Sequence, residues 1–188
     1  DINGKSDKDI TLNQNHSSNW EGVFLSPLHE KTKLHLILVI DELLKTYDVD
    51  GLHLDYIRFQ SDIYGYNKKG IKDFEGKYSF DPLNIERNII SVNYGWKQNE
   101  IDSMKKIWKD YKINNINSLL LGVRKVKNDK DIYLSAAVKP DPNLAKDKWS
   151  QDWFSWLELN FLDFVILMNY SSNNIDFYNM VTEDILQN

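Results

Sequence analysis

The chain has no cysteine among its 188 residues. It therefore forms no disulfide and offers no thiolate ligand to a metal ion, and thiol usage says nothing about its redox compartment. Basic residues are outnumbered by acidic ones, 23 to 28, and they form no long run. This charge balance disfavours nucleic acid as a partner.

Long hydrophobic stretches are also missing. The longest apolar segment, 34–40, is interrupted by His35 and followed by Asp41 and Glu42. It is much shorter than the roughly 20 apolar residues of a transmembrane helix, so we expect no membrane span. The chain begins with Asp1 and shows no charged segment followed by an apolar one, so any targeting segment is expected outside it and the chain is expected to be a fragment.

The distribution of apolar residues predicts one domain over residues 1–188, of the α/β class. Apolar residues recur at helical spacing between Lys33 and Tyr47, and strand-like segments flank this helix at 20–27 and 49–59. A strand, a helix and a second strand within about forty residues are typical of a parallel sheet with right-handed crossovers.

The same alternation continues to residue 168. A long insertion rich in aromatic residues, 60–98, is expected to hold short helices at 67–78 and 82–91. A long helix is predicted over 99–127, a strand over 132–138, a short helix with Ser150 as its N-cap, and a strand over 161–168. Because the carboxyl ends of parallel strands meet at one edge, we expect one shared face for Pro27, 55–58, 139–141 and 169–170.

One predicted strand ends in a carboxylate. Residues 49–60 read Val-Asp-Gly-Leu-His-Leu-Asp-Tyr-Ile-Arg-Phe-Gln, which places Gly51, His53 and Asp55 on one face. Burying a carboxylate is costly unless it is paired, hydrogen-bonded or used in chemistry. Asp55 is therefore either a functional residue or a structural one that pairs with Arg58 or caps the next turn.

Three segments in this order and spacing resemble the glycosyl-hydrolase-like 10 family. They are residues 47–59, the strand Tyr-Leu-Ser-Ala-Ala-Val at 133–138, and residues 151–170, which end in Met-Asn-Tyr. The resemblance runs from about Trp20 to Tyr170. It implies a (β/α)8 barrel of the TIM type that acts on polysaccharide, with bacterial relatives that cut peptidoglycan glycan strands and related barrels that handle poly-N-acetylglucosamine.

In this family the strand that ends at Asp55 is similar to the fourth of eight, and 161–168 to the sixth. The resemblance thus implies a partial barrel, about strands three to six, whose other strands belong to a parent chain. The chain departs from the family at Tyr56, where relatives often have a second acidic residue, and at Gln60, where they often have proline. Its Met-Asn-Tyr segment is also similar to the Met-x-Tyr of chitinase-like family 18 barrels, which use the acetamido group of the substrate.

Hydrolysis of a glycosidic bond usually needs two carboxyl groups. Asp55 is the candidate for one of them, and Arg58 or His53 is placed to tune it by charge or hydrogen bonding. Asp50 lies about 16 Å away at the opposite end of the strand and cannot act with it. The second group is left open between Asp141, the missing strands and the acetamido group of the substrate.

The expected substrate-binding residues follow the same strand ends. Alternatives are open for three of them: His53 as a core histidine, Asp141 as a loop residue, and Asn169 as a strand-end cap. Several aromatic residues are further candidates for stacking on sugar rings, namely Tyr64, Tyr66, Trp96, Trp149 and Trp153, the last more typical of a core. The predicted binding set is His53, Tyr56, Arg58, Asp141, Asn169 and Tyr170.

These observations predict a glycoside hydrolase of a bacterial envelope or extracellular polysaccharide, located outside the cytoplasm and acting without a cofactor. One alternative is an inert carbohydrate-binding barrel. Another is a metal-dependent polysaccharide deacetylase, which is disfavoured because His16, His29 and His35 lie in a loop or at the start of a helix and form no ligand cluster with His53.

Overall fold

The computed structural model describes residues 24–127 and 130–179. Within these residues one or more helices lie between successive strands, and one short 3-10 turn is at Val92–Tyr94. In chain order the elements are α1 (Glu30–Thr46), β1 (Gly51–Leu54), α2 (Lys68–Tyr78), α3 (Leu83–Glu86), α4 (Gln98–Lys127), β2 (Tyr133–Val138), α5 (Pro142–Trp149), α6 (Trp153–Glu158) and β3 (Phe164–Leu167).

The described strands form a parallel sheet in the order β1-β2-β3. His53 lies opposite Ser135, and Ser135 lies opposite Phe164, so the three strands are in register at this level. Parallel neighbours need long crossovers, which α2 to α4 supply between β1 and β2, and α5 with α6 between β2 and β3. The α/β class with parallel strands is therefore confirmed.

One face of the sheet packs on helices. Leu134, Ala136 and Val138 of β2 are fully buried, and they join a core that includes Ile116 and Leu120 of α4. The partly buried residues Leu52, Leu54, Val165 and Leu167 of the outer strands pack against the same core. Alternation along each strand thus directs every second residue toward this core.

The opposite face, which we call the open face, consists of His53, Tyr133, Phe164 and Ile166 together with the small residues between them. Tyr133, Phe164 and Ile166 are 65%, 44% and 51% exposed. The rings of Tyr133 and Phe164 meet edge to face with their centroids 6.1 Å apart. No element in the described residues covers this apolar surface.

The helices near the start of the chain and in its centre match their predictions. Helix α1 follows His29, α2 lies within 67–78, and α4 begins at Gln98 and runs without a break to Lys127. Helix α3 has four residues, fewer than expected for 82–91. Among the described helices, none has the length together with the apolar character needed to cross a membrane.

Three strand predictions need correction. Strand β3 is shorter than the expected 161–168, because the N–H groups of Phe161 and Leu162 donate back to Trp156 O in α6 and the extended strand begins only at Phe164. Residues 24–26 of the expected strand 20–27 are not in a strand, and residues 20–23 lie outside the described part of the chain. Strand β1 is shorter than the expected 49–59, because Tyr56 adopts a left-handed backbone conformation with φ of 54° that extended pairing cannot continue.

The prediction for Ser150 is wrong. Ser150 lies at the carboxyl end of α5 in the left-handed conformation, φ 54°, and α6 begins after Asp152. Helix α5 was not predicted, because Pro-Asp-Pro at 140–142 is typical of a loop. In the structure Asp141 caps this helix and Pro142 takes its first position, where proline costs no hydrogen bond.

Candidate active site

Asp55 directly follows β1 and is exposed to solvent. Its Oδ1 accepts a hydrogen bond of 2.7 Å from the backbone N–H of Tyr56. The residues that follow turn inward, with Ile57 and Phe59 buried in the core. The carboxylate therefore lies at the carboxyl end of the sheet, held at one oxygen and accessible to a ligand.

Tyr56 combines an unusual backbone with an exposed ring. Its φ of 54° is uncommon for a bulky residue, and such a conformation costs about 1–3 kcal/mol unless neighbouring contacts support it. The ring is 51% exposed and meets Phe24 edge to face at a centroid distance of 5.3 Å. Tyr56 therefore lies beside Asp55 with part of its ring available to a ligand.

Arg58 lies behind Tyr56 and is only 5% exposed. Its guanidinium carbon is 5.0 Å from the centre of the Tyr56 ring and 5.8 Å from that of Phe24. Its Nη1 donates to the carbonyl oxygen of Phe59 at 3.2 Å. Since the side chain faces the protein, direct contact between Arg58 and a sugar stays a prediction.

His53 projects from the open face on the same side as Asp55. Its Nδ1 shares a hydrogen bond of 2.9 Å with the hydroxyl oxygen of Ser135, its partner across the sheet. Two residues of strand separate it from Asp55, which corresponds to about 7 Å. The ring is exposed in the described residues, and a contact between His53 and substrate stays a prediction.

Asp141 and Lys139 follow β2. Oδ1 of Asp141 accepts a hydrogen bond from the N–H of Leu144 at 2.9 Å, a helix-capping role that by itself accounts for this residue. A contact between Asp141 and substrate stays a prediction. Nζ of the neighbouring Lys139 lies 5.0 Å from the centre of the Trp149 ring, a contact that no local pattern indicates because the two residues are ten positions apart.

The end of β2 is held by two buried side chains. Oε1 of the fully buried Gln151 accepts the N–H of Lys139 at 2.8 Å, and its Nε2 donates to Ala137 O at 3.1 Å. Nε1 of Trp153 donates to the carbonyl oxygen of Lys139 at 2.9 Å. Trp153 is 2% exposed, so it belongs to the core and is not a platform for a sugar.

The other candidate platforms differ in exposure. Tyr66 is buried, donates its hydroxyl hydrogen to Glu86 at 3.3 Å, and has its pKa raised mainly by burial. It therefore packs inside the protein. Trp149 and Tyr64 are half-buried and Trp96 is 38% exposed, so these three rings keep surface that a sugar can reach.

Asn169 and Tyr170 follow β3. Asn169 holds a turn, because its Oδ1 accepts from Ser171 N–H at 3.2 Å and its Nδ2 donates to Phe177 O at 3.3 Å. Tyr170 is 85% exposed. Asp55 follows β1 and Asn169 follows β3, two strands away in the sheet, which corresponds to about 10 Å across it.

A carboxylate at the opposite edge, Asp163, has a structural role. It accepts a hydrogen bond from Leu134 N–H at 2.6 Å and pairs with Lys127 at 2.7 Å and Arg124 at 3.5 Å. Burial acts to raise the pKa of Asp163, but the hydrogen bonds and charges of these partners outweigh it and hold the pKa below its usual value. This ionised group joins α4 to the start of β3.

A cleft of about 380 Å³ lies at that same edge, lined by 47–50 and 130–133. Since sheets of this kind bind ligands at the carboxyl ends of their strands, the cleft is not part of the candidate site. In residues 24–127 and 130–179 no group of three His, Asp or Glu side chains is placed to hold a metal ion, so the deacetylase alternative has no ligand set there.

The fold of the described residues has a counterpart among solved structures. It is similar to the solved glycoside hydrolase domain of PgaB (BpsB) from Bordetella bronchiseptica, with a TM-score of 0.64 and 15% sequence identity. The likeness covers 95% of this chain and 50% of that chain, so this chain spans half the length of its structural neighbour. At this identity the comparison shows the fold alone.

The sequence then identifies the family. Residues 5–183 match the model of the family Glycosyl hydrolase-like 10, and the chain belongs to that family. The resemblance predicted from the residues is thereby confirmed. No curated protein matches the chain.

Proposed function

We propose that the chain is part of a glycoside hydrolase that cleaves a bacterial envelope or extracellular polysaccharide, with Asp55 as a catalytic carboxylate. The observation that carries this proposal is the place of Asp55: an exposed carboxylate at the carboxyl end of a parallel strand, in a glycosyl-hydrolase-like chain. The substrates that fit best are peptidoglycan glycan strands and N-acetylglucosamine polymers. Such a protein works outside the cytoplasm.

In the proposed reaction a glycosidic C–O bond breaks, its oxygen receives a proton, and a water hydroxyl ends on the anomeric carbon. Asp55 performs one of the two carboxyl functions, either as the acid or as the nucleophile or base. The second comes from the remaining barrel or from the acetamido group of the substrate. The spread of His53, Tyr56, Asp141, Asn169 and Tyr170 along the strand ends supports a polymer as ligand.

We also propose that the three described strands belong to a complete (β/α)8 barrel. The open face supports this proposal, since Tyr133, Phe164 and Ile166 are apolar and uncovered in the described residues. In a barrel such residues point to the interior and are covered by the other strands. The similar glycoside hydrolase domain of PgaB is about twice as long as its matched part, and the other half is long enough to contain those strands.

The test of Asp55 uses the full-length parent protein and its Asp55→Asn variant. Release of reducing ends is measured on peptide-free peptidoglycan and on N-acetylglucosamine polymers. We expect a loss of about 100-fold or more in kcat, the usual contribution of a general acid or base. Asp50→Asn is the matched control, because Asp50 precedes the same strand at its opposite end, and it should keep full activity. Equal turnover by the Asp55→Asn variant and the wild type would remove Asp55 from catalysis.

One observation favours the inert carbohydrate-binding alternative: Tyr56 occupies the position where relatives often have a second acidic residue. A binding protein of this kind would retain the glycan in a pull-down assay and release no reducing ends in either form. A deacetylase would instead release acetate and lose that activity to a chelator. Reducing-end release, glycan retention and acetate release therefore separate the three functions.

A further inference from the structure

The turn after Asp55 is built around the backbone of Tyr56. The N–H of Tyr56 donates to Asp55 Oδ1 at 2.7 Å, and its carbonyl oxygen accepts from the N–H of Arg58 at 2.8 Å. The second bond closes a tight three-residue turn centred on Ile57. The left-handed φ of Tyr56, 54°, ends the strand here and turns the chain into the core. The Tyr56 N–H and the turn that follows it thus fix the orientation of the Asp55 carboxylate.

A bulky residue keeps this conformation only where its surroundings support it. The support comes from the Arg58 cluster, which consists of Phe24, Tyr56 and Arg58. The guanidinium of Arg58 lies over the Tyr56 ring at 5.0 Å and near the Phe24 ring at 5.8 Å, and Phe24 meets Tyr56 edge to face at 5.3 Å. Arg58 is only 5% exposed, so the guanidinium side of these contacts is shielded from water. Attraction between a cation and a ring is stronger where the cation is desolvated.

We propose that Arg58 is a positioning residue for Asp55, acting through the ring and the left-handed backbone of Tyr56 and not through contact with the sugar. This inference rests on the proposed function, in which Asp55 is catalytic. The burial of Arg58 places it behind Tyr56, on the side away from solvent. Its effect on the reaction passes through the Tyr56 N–H, which holds one carboxylate oxygen.

The first test compares Arg58→Met with the wild type in the full-length protein. Arg58→Met keeps the length of the side chain but loses the charge and the planar group. We expect kcat to fall about 10-fold to 100-fold, as for a misplaced catalytic group, with KM within twofold of the wild type. A sugar-binding arginine would instead raise KM. An unchanged kcat would overturn the proposal.

Two further variants test the same contact. Tyr56→Ala removes the ring over which Arg58 lies, so its kcat should fall as much as that of Arg58→Met. Arg58→Lys keeps the charge without the planar stacking group and should be intermediate. If Arg58→Met does not fold, Arg58→Lys and Tyr56→Ala carry the test, and wild-type kcat in both would overturn it.

A double variant separates this inference from the proposed function. If Arg58 acts through Asp55, Arg58→Met should have no further effect on the residual activity of Asp55→Asn. Failure of the proposed function appears as full activity in Asp55→Asn. In that case the crystal structure of Arg58→Met still decides: the proposal expects Tyr56 to leave the left-handed region, and an unchanged turn with the 2.7 Å bond to Asp55 intact would overturn it.

Discussion

The ammonium group of Lys112 donates a hydrogen bond to the carbonyl oxygen of Asp62 at 3.0 Å, which ties the middle of α4 to the segment that follows the candidate site. Three rings surround this ammonium: Phe59 at 5.6 Å, Trp108 at 5.8 Å and Tyr66 at 5.9 Å. Lys112 is 4% exposed. Burial lowers its pKa to about 8, although Asp62 and Glu86 act to raise it.

This shift predicts the pH dependence of stability. The unfolded chain holds the Lys112 proton up to its ordinary pKa of 10.5, whereas the folded chain releases it near 8. Between these values the unfolded state binds more protons, so the contribution of Lys112 to the free energy of unfolding rises with pH, by at most about 3 kcal/mol. Urea denaturation at pH 7 and 9.5 measures the rise, which should disappear in Lys112→Met.

The control for this measurement is Lys105→Met, since Lys105 is an exposed lysine on the same helix. It should follow the pH dependence of the wild type. If Lys112→Met also follows the wild type between pH 7 and 9.5, the ammonium does not titrate in this range in the folded protein.

Substitution of alanine at two glycines of α2 should change the stability of the protein in opposite directions. A Cβ at Gly70 would lie 2.8 Å from Leu28 Cβ and 2.9 Å from Asn67 Oδ1, whereas a Cβ at Gly76 would meet no atom within 4 Å. Gly70→Ala should therefore destabilise the protein by about 1–3 kcal/mol through overpacking. Gly76→Ala should stabilise it by up to about 1 kcal/mol through helix propensity. Thermal unfolding of both variants checks the pair, and equal shifts in Tm would contradict the close packing at Gly70.

The open face predicts how the isolated 188-residue chain behaves in solution. Phe164 and Ile166 leave an apolar strand surface exposed next to Tyr133, so the isolated chain should self-associate and bind a hydrophobic dye. Phe164→Thr with Ile166→Thr should reduce dye fluorescence several-fold. Leu159→Thr, which changes a slightly more exposed apolar residue outside the sheet, should not reduce it. A monomeric chain with a sharp, reversible melt would contradict this prediction.

Much of the fold follows from patterns that act along the chain. The apolar spacing of α1 and α4 and the apolar runs of β2 and β3 are local signals, and the structure has these elements at the predicted places. The ends of elements were less predictable. Ser150 suits a helix N-cap by its chemistry, yet it ends α5, because a polar residue in the left-handed conformation also serves at a carboxyl end.

The candidate site was predicted in part. Asp55 and His53 were identified because strand alternation and a terminal carboxylate are visible in the sequence. The burial of Arg58 was not predicted. Arg58 lies against Phe24, which belongs to a distant part of the chain and meets Arg58 only in the folded protein. The contact between Lys139 and Trp149 was missed for the same reason.

The hydrogen bonds of Gln151 have a consequence for how this family can diversify. Together with Trp153, the buried amide of Gln151 holds the end of β2 through Ala137 and Lys139, and none of these bonds involves the loops after β1 or β3. Insertions or substitutions in the loops after β1 and β3 can therefore accumulate while the central strand end keeps its place. In the proposed glycoside hydrolase, preference for one glycan over another can then change by loop exchange, without rebuilding the scaffold.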